Sequence, residues 1–492
     1  MNRNLRTGGR RAVIGLTAPA LLLTCAVSSA AAPVPAQLGA DAGVAARSPA
    51  LSTVRPIAVG VPNADLGANE GGAVDLYLND GSVQVLTELK LGLLSPEEVN
   101  FDRFGNAVSL TDLNRDAYPD LVVGAPGDQV SSNSPGHVDV LLGTADGITG
   151  PGATMLPSPA KAGDEFGFSV AVSGKTLWVG APGTDSAAGA DTGAVYRYSI
   201  DANGKATLQG STTEATLGAS PQANERFGEV LAPAEGGVII GVPKRNVGSA
   251  SAAGQIVRLR QSESDAITAA IWNQNSTGVP GTAEAGDHFG AAVSVNGFVV
   301  GAPGEDVGAL KNAGGVQSFT FGDLNTKLVP GLFETQDSKG VPGSAEAGDQ
   351  YGAAVTVGLF RCYEVSTKAV GAPGEDFGKA TNAGSVTLTN LEVGDHQCLA
   401  RLLRQGKGLP GSAETGDAVG SAVGLAIGGD DEEDRTDVLL VGAPGEDIGT
   451  ATAGHDLGIA TIRAAVGPSP TQSFEFAGGR WHEVRYGSVF GS

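Results

Sequence analysis

The sequence predicts an all-β fold made of repeated antiparallel sheets, and three observations support this prediction. Glycine accounts for 75 of the 492 residues, which disfavours helices because a glycine inside a helix costs about 1 kcal/mol relative to alanine. Hydrophobic residues make up 41% of the chain, which is enough to build an interior. Two short phrases, Gly-Ala-Pro and aromatic-Gly, recur at intervals of about 60 residues, and such a period marks a repeated structural unit.

Both phrases occur seven times. Gly-Ala-Pro, with valine in place of alanine in two copies, starts at Gly60, Gly124, Gly180, Gly241, Gly301, Gly371 and Gly442. The second phrase occurs at Phe104-Gly105, Phe166-Gly167, Phe227-Gly228, Phe289-Gly290, Tyr351-Gly352, Val419-Gly420 and Tyr486-Gly487. Its sixth copy has valine in place of the aromatic ring.

Each repeat contains the pattern of four strands. Residues 291–295 and 298–300 flank Asn296-Gly297, which is a strong hairpin signal. Residues 315–321 alternate as a third strand does, and a weaker fourth strand follows near 328–333. Four antiparallel strands per repeat form a propeller blade, and seven lies within the usual range of blade numbers. We therefore predict a seven-bladed β-propeller of four-stranded antiparallel blades.

The ends of the chain predict how this ring closes. The Gly-Val-Pro at Gly60 has no aromatic-Gly before it, and the aromatic-Gly at Tyr486 has no Gly-Ala-Pro after it. We expect the N- and C-terminal strands to share one blade, with residues 486–490 beside the strands that begin near Ile57. This closure pairs sheet edges that otherwise promote aggregation. An open solenoid is the alternative, but it explains neither the equal counts nor the divided blade.

This pattern resembles the FG-GAP repeat family, the seven-bladed propeller of integrin α subunits, over roughly residues 52–492. Phe-Gly, an acidic loop and Gly-Ala-Pro recur in a fixed order, as they do in that family. The departures from the family pattern are Val61, Val242 and Val419, and they leave the fold prediction intact.

The N-terminus predicts export. Arg10 and Arg11 precede an apolar run over residues 12–26 and then small residues, which is the layout of a signal peptide over residues 1–32. The paired arginines leave general or twin-arginine export open. An Ala/Pro-rich linker follows over residues 33–51, and no later segment is apolar enough to span a membrane. We expect a secreted monomer, with association to the cell envelope as the alternative.

Cys362 and Cys398 are the two cysteines after the predicted signal peptide. An even pair in an oxidising compartment predicts one disulfide. Two buried free thiols are the alternative.

Two acidic loops are candidate calcium sites. Alternating oxygen side chains suit Ca²⁺, which takes six to eight oxygen ligands. In the first loop, resemblance to FG-GAP loops implies side-chain oxygens from Asp112, Asn114, Asp116 and Asp120 and the carbonyl of Tyr118. Ala117 stands where the family usually has glycine. A weaker second candidate contains Asp430, Glu432, Asp434 and Asp437. A solvated acidic turn is the alternative at both loops.

Acidic pairs also follow Gly-Ala-Pro-Gly in three consecutive repeats. The pairs are Glu305 and Asp306, Glu375 and Asp376, and Glu446 and Asp447. The connections between blades add Glu284, Asp287, Glu346, Asp349, Glu414 and Asp417. These carboxylates either cap tight turns or form a rim that attracts cations. By resemblance to integrin propellers, this face is also where ligands bind.

The net charge and the missing catalytic motifs narrow the classes of function that the sequence predicts. A net charge of −22 disfavours nucleic acid as a partner because phosphate binding requires cationic groups. We identify no catalytic residues, since His-Glu-x-x-His, Gly-x-Ser-x-Gly and phosphate-loop patterns are all missing. We expect a calcium-supported binding or adhesion module for an extracellular protein or glycan, with a basic partner among the candidates. The alternatives are an esterase- or phospholipase-like extracellular hydrolase and a structural envelope protein.

Overall fold

The protein is described here from a computed structural model. It describes residues 56–62, 64, 71–78, 82–93, 102–127, 134–145, 147–148, 153–262, 264–294, 299–321, 328–359, 366–391, 400–409, 411–426 and 437–445, with the strand backbones of 459–464, 473–477 and 488–490. The predicted signal peptide and linker lie outside these residues. All of the described residues belong to one unit, Ser48–Ser492.

The described residues form a β-propeller of six blades, each a sheet of four or five strands. In chain order, blade 1 contains Ala107–Thr111, Asp120–Ala125, His137–Leu141 and Thr154–Met155; blade 2 contains Ser169–Ser173, Thr176–Ala181, Ala194–Ile200 and Ala206–Thr212; and blade 3 contains Val230–Ala234, Gly237–Val242, Gln255–Gln261 and Ile267–Trp272. Blade 4 contains Ala292–Val293, Val299–Ala302, Gly315–Phe321 and Leu328–Glu334; blade 5 contains Ala354–Gly358, Thr367–Ala372, Ser385–Asn390, Arg401–Gln405 and Gly408–Leu409; and blade 6 contains Val423–Ala426, Val438–Ala443, Ile459–Ala464 and Ser473–Ala477.

A smaller sheet, which we call the N-terminal sheet, precedes blade 1. Its three strands are Ile57–Val61, Ala73–Tyr77 and Val83–Leu86. Short elements complete the described secondary structure: the α-helix Glu88–Leu91, the 3₁₀ helix Ala215–Leu217, and a two-stranded ribbon of Gly143–Thr144 and Gly147–Ile148.

The predicted closure is wrong, and the structure has six blades rather than seven. The C-terminal strand Ser488–Phe490 pairs in parallel with Ala107–Thr111 of blade 1. It does not join Ile57–Val61, so the N-terminal sheet keeps three strands. The physical reason is that the edge of blade 1 at Ala107–Thr111 and the edge of the N-terminal sheet at Ile57–Val61 present the same kind of unpaired backbone groups. A three-residue strand can form hydrogen bonds with either edge.

The N-terminal sheet closes the ring through side-chain packing. On one side, Val59 packs in a cluster with Leu440 of blade 6. On the other side, Leu76 packs in a cluster with Leu121 of blade 1. The other blades meet in the same way, and the rings of the aromatic-Gly phrase, such as Phe166 and Phe289, are fully buried.

The two repeated phrases meet where adjacent blades touch. Gly301 of blade 4 accepts a hydrogen bond from the Gly290 N–H of the same blade, at 2.9 Å. A methyl group added to Gly301 would lie 1.9 Å from the carbonyl oxygen of Gly352 in blade 5. The same close approach recurs at Gly60 and Gly105, Gly124 and Gly167, Gly180 and Gly228, Gly241 and Gly290, and Gly371 and Gly420. Both phrases are therefore parts of one contact between blades.

The antiparallel order divides the loops between two faces. We call the face with the connections between strands 1 and 2 and between strands 3 and 4 the hairpin face. The junction face carries the connections between strands 2 and 3 and those between blades. Residues 112–119 lie on the hairpin face, and residues 273–291 and 303–314 lie on the junction face.

Candidate functional site

The predicted calcium loop folds around its own carboxylates. Asp112 Oδ1 accepts hydrogen bonds from the N–H groups of Arg115 and Asp116, at 2.7 and 3.1 Å. Asp112 Oδ2 accepts from the Ala117 N–H, at 3.0 Å, and Asp116 Oδ1 accepts from the Tyr118 N–H, at 2.9 Å. These bonds bend the chain into a tight loop that places successive side-chain oxygens near one another.

Three of the predicted ligands come together on this loop. Asn114 Nδ2 donates to Asp116 Oδ2, at 2.9 Å, and Asn114 Oδ1 accepts from the Asp116 N–H, at 3.0 Å. Carboxylate and amide oxygens each have two acceptor positions, so Asp112, Asn114 and Asp116 keep acceptor capacity for an ion. The residues present therefore fit a hard cation.

Asp120 anchors the base of the loop. It is fully buried, and its Oδ2 accepts from the N–H groups of Leu113 and Asn114, at 2.8 and 3.3 Å. Its Oδ1 accepts from the Gly143 N–H, at 2.7 Å. Burial raises the pKa of Asp120, while these backbone hydrogen bonds act to lower it. Asp120 thus has a structural role in addition to the ligand role that the sequence predicted.

The other hairpin-face predictions are only partly described. Asp430, Glu432 and Asp434 of the second loop lie outside the described residues, as do Cys362 and Cys398, so the second metal site and the disulfide stay predictions. Asp437 is described and buried. Its Oδ2 accepts from the Leu359 N–H in blade 5, at 2.8 Å.

On the junction face, the aspartates before the aromatic-Gly phrase hold turns, as the turn-capping interpretation expects. Asp287 is buried and accepts from the Glu284 N–H, at 2.5 Å. Asp349 accepts from the Glu346 N–H, at 2.6 Å. Asp417 accepts from the N–H of Glu414, at 2.6 Å. The carboxylates of Glu284, Glu346 and Glu414 are left exposed.

In the first two pairs that follow Gly-Ala-Pro-Gly, the aspartate again caps a loop, whereas the glutamate is partly or fully buried. Asp306 and Asp376 cap their loops through the N–H groups of Asn312 and Asn382, at 3.1 and 2.7 Å. Glu375 is buried and accepts from Gln336 Nε2. Glu305 is part-buried and accepts from Gln274 Nε2, at 2.5 Å. The third pair, Glu446 and Asp447, lies outside the described residues.

Burial perturbs these inward-facing glutamates. It raises the pKa of Glu305 to about 7, helped by the charge of nearby Asp287 and opposed by the Gln274 hydrogen bond. Burial likewise raises the pKa of Glu375 to about 7, helped by the charge of Asp349 and opposed by the Gln336 hydrogen bond. Glu305 and Glu375 are therefore weaker candidates for ligand contact than the exposed Glu284, Glu346 and Glu414.

In blade 3, an arginine stands at the position that Glu305 occupies in blade 4 and Glu375 occupies in blade 5. Arg245 contacts Glu214 and Glu225, whose side chains are 1% and 0% exposed. Arg245 follows its Gly-Val-Pro by the same number of residues as Glu305 follows Gly-Ala-Pro. The repeat therefore places a buried cation at this position in one blade and an acidic group in the next.

A third cluster, which the sequence did not indicate, lies where the N-terminal sheet contacts blade 1. It consists of Glu88, His137 and Asp139, and one possible ligand atom from each lies within 4.8 Å of the others. Burial lowers the pKa of His137, but the two carboxylates outweigh burial and raise it to about 10. His137 and Asp139 alternate on one strand and so share a side of the sheet. Glu88 lies 49 residues from His137, so no local pattern connects them.

A central cavity of about 240 Å³ lies where the innermost strands meet. Its described lining consists mainly of small residues such as Ala107, Ala292 and Ala354. The charged side chain in that lining, Glu229, forms ion pairs with Lys244 at 3.0 Å and Arg226 at 3.4 Å. The described part of the cavity therefore offers little reactive chemistry.

The fold and its repeated loops define a class of protein, the β-propellers built from repeated Phe-Gly and Gly-Ala-Pro units. The FG-GAP repeat family matches residues 104–141 and 152–198. Residues 104–141 and 152–198 are therefore FG-GAP repeats.

Comparison with known proteins gives further likenesses. Integrin alpha-IIb of Mus musculus is 38% identical over 108 residues, and that of Homo sapiens is 37% identical over 108 residues. Each match covers 22% of this chain and 10% of the integrin, so the chain matches about a tenth of the length of these relatives.

Among solved structures, the chain is similar to a periplasmic gluconolactonase of Pseudomonas aeruginosa. That match has a TM-score of 0.42 and 13% identity, and it covers 85% of this chain and 99% of that chain. A putative 6-phosphogluconolactonase from Bacteroides uniformis gives a TM-score of 0.38 and 14% identity, and it covers 70% of this chain and 79% of that chain. Within the described residues, no helix combines the length and apolar character that crossing a bilayer requires.

Proposed function

We propose that the protein is an exported binding module whose junction face docks an extracellular protein or glycan with a basic surface. The observation that carries this proposal is the repeated exposure of Glu284, Glu346 and Glu414 at equivalent positions in three consecutive connections. The aspartate three residues after each glutamate accepts its N–H and so fixes the turn. The backbone that carries these carboxylates is thus held in place before any ligand arrives.

Electrostatics supports a basic partner. Like charges crowded on one face create a potential that accelerates the approach of an opposite charge. Lys311 is a described cation of the same face, and it is paired with Asp306. The net charge of −22 adds to the attraction.

Calcium would support this function structurally. Asp112, Asn114 and Asp116 would hold Ca²⁺ through side-chain oxygens, with Tyr118 adding its carbonyl and Asp120 anchoring the loop. Bound Ca²⁺ would supply positive charge that stabilises the crowded carboxylates. The loop lies on the hairpin face, so the ion would stabilise blade 1 rather than contact a ligand on the junction face.

The experiment replaces the three exposed glutamates together, as Glu284→Gln, Glu346→Gln and Glu414→Gln. Binding to a panel of lysine- and arginine-rich peptides and to a glycan array is measured by biolayer interferometry from low to physiological salt. Screened long-range attraction acts mainly on the association rate, so we expect association to slow at low salt and the salt dependence to flatten.

A matched control removes three charges from the hairpin face. Asp201, Glu235 and Asp265 are exposed there, and Asp201→Asn, Glu235→Gln and Asp265→Asn cause the same change in net charge. We expect this variant to bind nearly as the wild type does. Equal losses in both variants would mean that only net charge matters, and no loss in either would exclude the junction face as the docking surface.

A further inference from the structure

A buried cluster outside both acidic loops has the composition of a transition-metal site. Glu88 begins the helix that follows the N-terminal sheet, while His137 and Asp139 lie on the third strand of blade 1. Glu88 is 1% exposed and Asp139 is 0% exposed. An imidazole nitrogen with carboxylate oxygens is a ligand set that zinc and related ions use in proteins.

The three groups converge on one atom. Glu88 Oε1 contacts His137 Nε2, and Asp139 Oδ2 lies 3.5 Å from the same nitrogen. A single N–H cannot point well at two acceptors. Two ligand atoms bound tetrahedrally to zinc at about 2.0–2.2 Å lie roughly 3.3–3.6 Å apart. The contact between His137 and Asp139 has this length, whereas Glu88 Oε1 lies closer to His137 Nε2 and would move away from it when an ion binds.

Buried oxygens in the cluster lack hydrogen-bond donors among the described residues. Asp139 Oδ1 and Glu88 Oε2 are in this state, and Asp139 Oδ2 faces only the long 3.5 Å contact with His137. Leaving a buried charged acceptor without a donor is costly, so native structures supply a donor or an ion. Asp139 thus points to a ligand independently of the composition of the cluster.

The repeat itself shows how this junction is arranged when it does not need a metal. In blade 3, Gln255 takes the position of His137 and donates to Glu214, which takes the position of Glu88. Arg245 then neutralises Glu214. At the corresponding position of blade 1 the sequence has Asp128, so blade 1 lacks this arginine and adds a carboxylate at Asp139 instead.

We propose that Glu88, His137 and Asp139 bind a zinc-like divalent transition-metal ion that fastens the N-terminal sheet to blade 1. The ion supplies the cation that Arg245 supplies in blade 3. It also strengthens the junction next to the one sheet of the ring that has three strands. This site differs from the predicted calcium loop in its nitrogen ligand and in lying at the junction rather than on the hairpin face.

The test uses the full exported chain, freed of metal with a chelator and dialysed. Zn²⁺ binding is measured by isothermal titration and by metal analysis after gel filtration, and Co²⁺ serves as a spectroscopic probe of the ligand set. We expect one Zn²⁺ per chain, a visible Co²⁺ band, and a higher unfolding temperature with Zn²⁺.

Two variants copy residues that the repeat already accepts. His137→Gln copies Gln255, and Asp139→Val copies Val257, which occupies the same register in blade 3. We expect both to fold, as circular dichroism would show, and to lose zinc affinity by about 100-fold or more, since changing even a supporting group of a metal site costs about 10–100-fold. Asp112→Ala in the predicted calcium loop should keep wild-type zinc binding.

Two results would overturn the proposal. One is a wild-type chain that retains no zinc at micromolar concentration. The other is His137→Gln and Asp139→Val chains that bind zinc as the wild type does, which would place the ion elsewhere, for example on cysteines. If His137→Gln fails to fold, the Asp139→Val variant and the Co²⁺ spectrum decide.

Discussion

At the scale of single residues, Ala117 is the clearest conflict between sequence and backbone. Its φ of 73° lies in the left-handed region, where a Cβ costs about 1 kcal/mol relative to glycine. We expect Ala117→Gly to relieve about 1 kcal/mol of strain. This relief raises the unfolding free energy where the free loop already has this backbone, and it tightens Ca²⁺ binding by roughly five-fold where the loop adopts this backbone only with the ion bound. Calorimetric titration with Ca²⁺ and thermal unfolding measure the two effects.

Ala252 provides a matched control, because its φ of 49° is also left-handed and it lies on the junction face. Ala252→Gly should stabilise the fold to a similar degree without changing Ca²⁺ affinity. If Ala117→Gly binds Ca²⁺ no better than Ala252→Gly does, strain at position 117 does not limit the site.

Arg245 carries one of the two largest single-residue effects that we expect. Glu214 and Glu225 are buried against it, and removing one partner of a buried ion pair typically costs 3–5 kcal/mol. We therefore expect Arg245→Met to lower the free energy of unfolding by about 3 kcal/mol or more, as measured by urea denaturation. The adjacent Lys244→Ala should cost less than about 1 kcal/mol, because Lys244 is 42% exposed. Equal effects would contradict the assigned role of Arg245.

At the scale of elements, the contact between blades depends on paired glycines. A methyl group at Gly301 would meet a backbone carbonyl at 1.9 Å, and backbone cannot move away as a flexible side chain can. We expect Gly301→Ala to cost at least about 3 kcal/mol of unfolding free energy, in the range of severe core overpacking.

Gly248 separates this steric effect from backbone conformation. It has a φ of 63° but no atom near its added methyl group. Gly248→Ala should therefore cost only about 1 kcal/mol. Chemical denaturation of both variants makes the comparison, and similar losses would show that packing between blades is not the limiting factor at Gly301.

The sequence predicted the strands well where side chains alternate. The prediction of a third strand at residues 315–321 is confirmed by Gly315–Phe321, and the fourth strand is confirmed at Leu328–Glu334. Val419 is 1% exposed and fills the position of the aromatic ring, as predicted. Alternation on a strand is a local property, so a single sequence can reveal it.

At the scale of the whole molecule, local sequence patterns did not predict which elements pair. Ser488–Phe490 pairs with the edge of blade 1 rather than with Ile57–Val61, and nothing in a three-residue strand distinguishes these two free edges. The sequence predicted that Glu305 and Glu284 share a face, but not that Glu305 would turn toward Gln274. The cluster at His137 likewise depends on which blades become neighbours.

The acidic junction face makes the stability of the molecule depend on pH. Burial raises the pKa of Glu305 and of Glu375 from 4.5 to about 7. Because the folded-state pKa is the higher one, the protonated form favours folding. Their contribution is complete below pH 4.5 and is lost as the pH rises through 7. Raising the pH from 5 to 8 should thus reduce the free energy of unfolding, by on the order of 2–5 kcal/mol for the pair.

The double variant Glu305→Gln and Glu375→Gln isolates this effect from other groups that titrate in the same window, including Glu214, whose pKa burial raises to about 7. An amide cannot ionise, so we expect the variant to be more stable than the wild type at pH 8 and to show a flatter decline between pH 5 and 8. Urea denaturation at constant ionic strength measures both curves. Parallel curves would mean that these carboxyls reach water when ionised, and the junction face would then present them to a ligand after all.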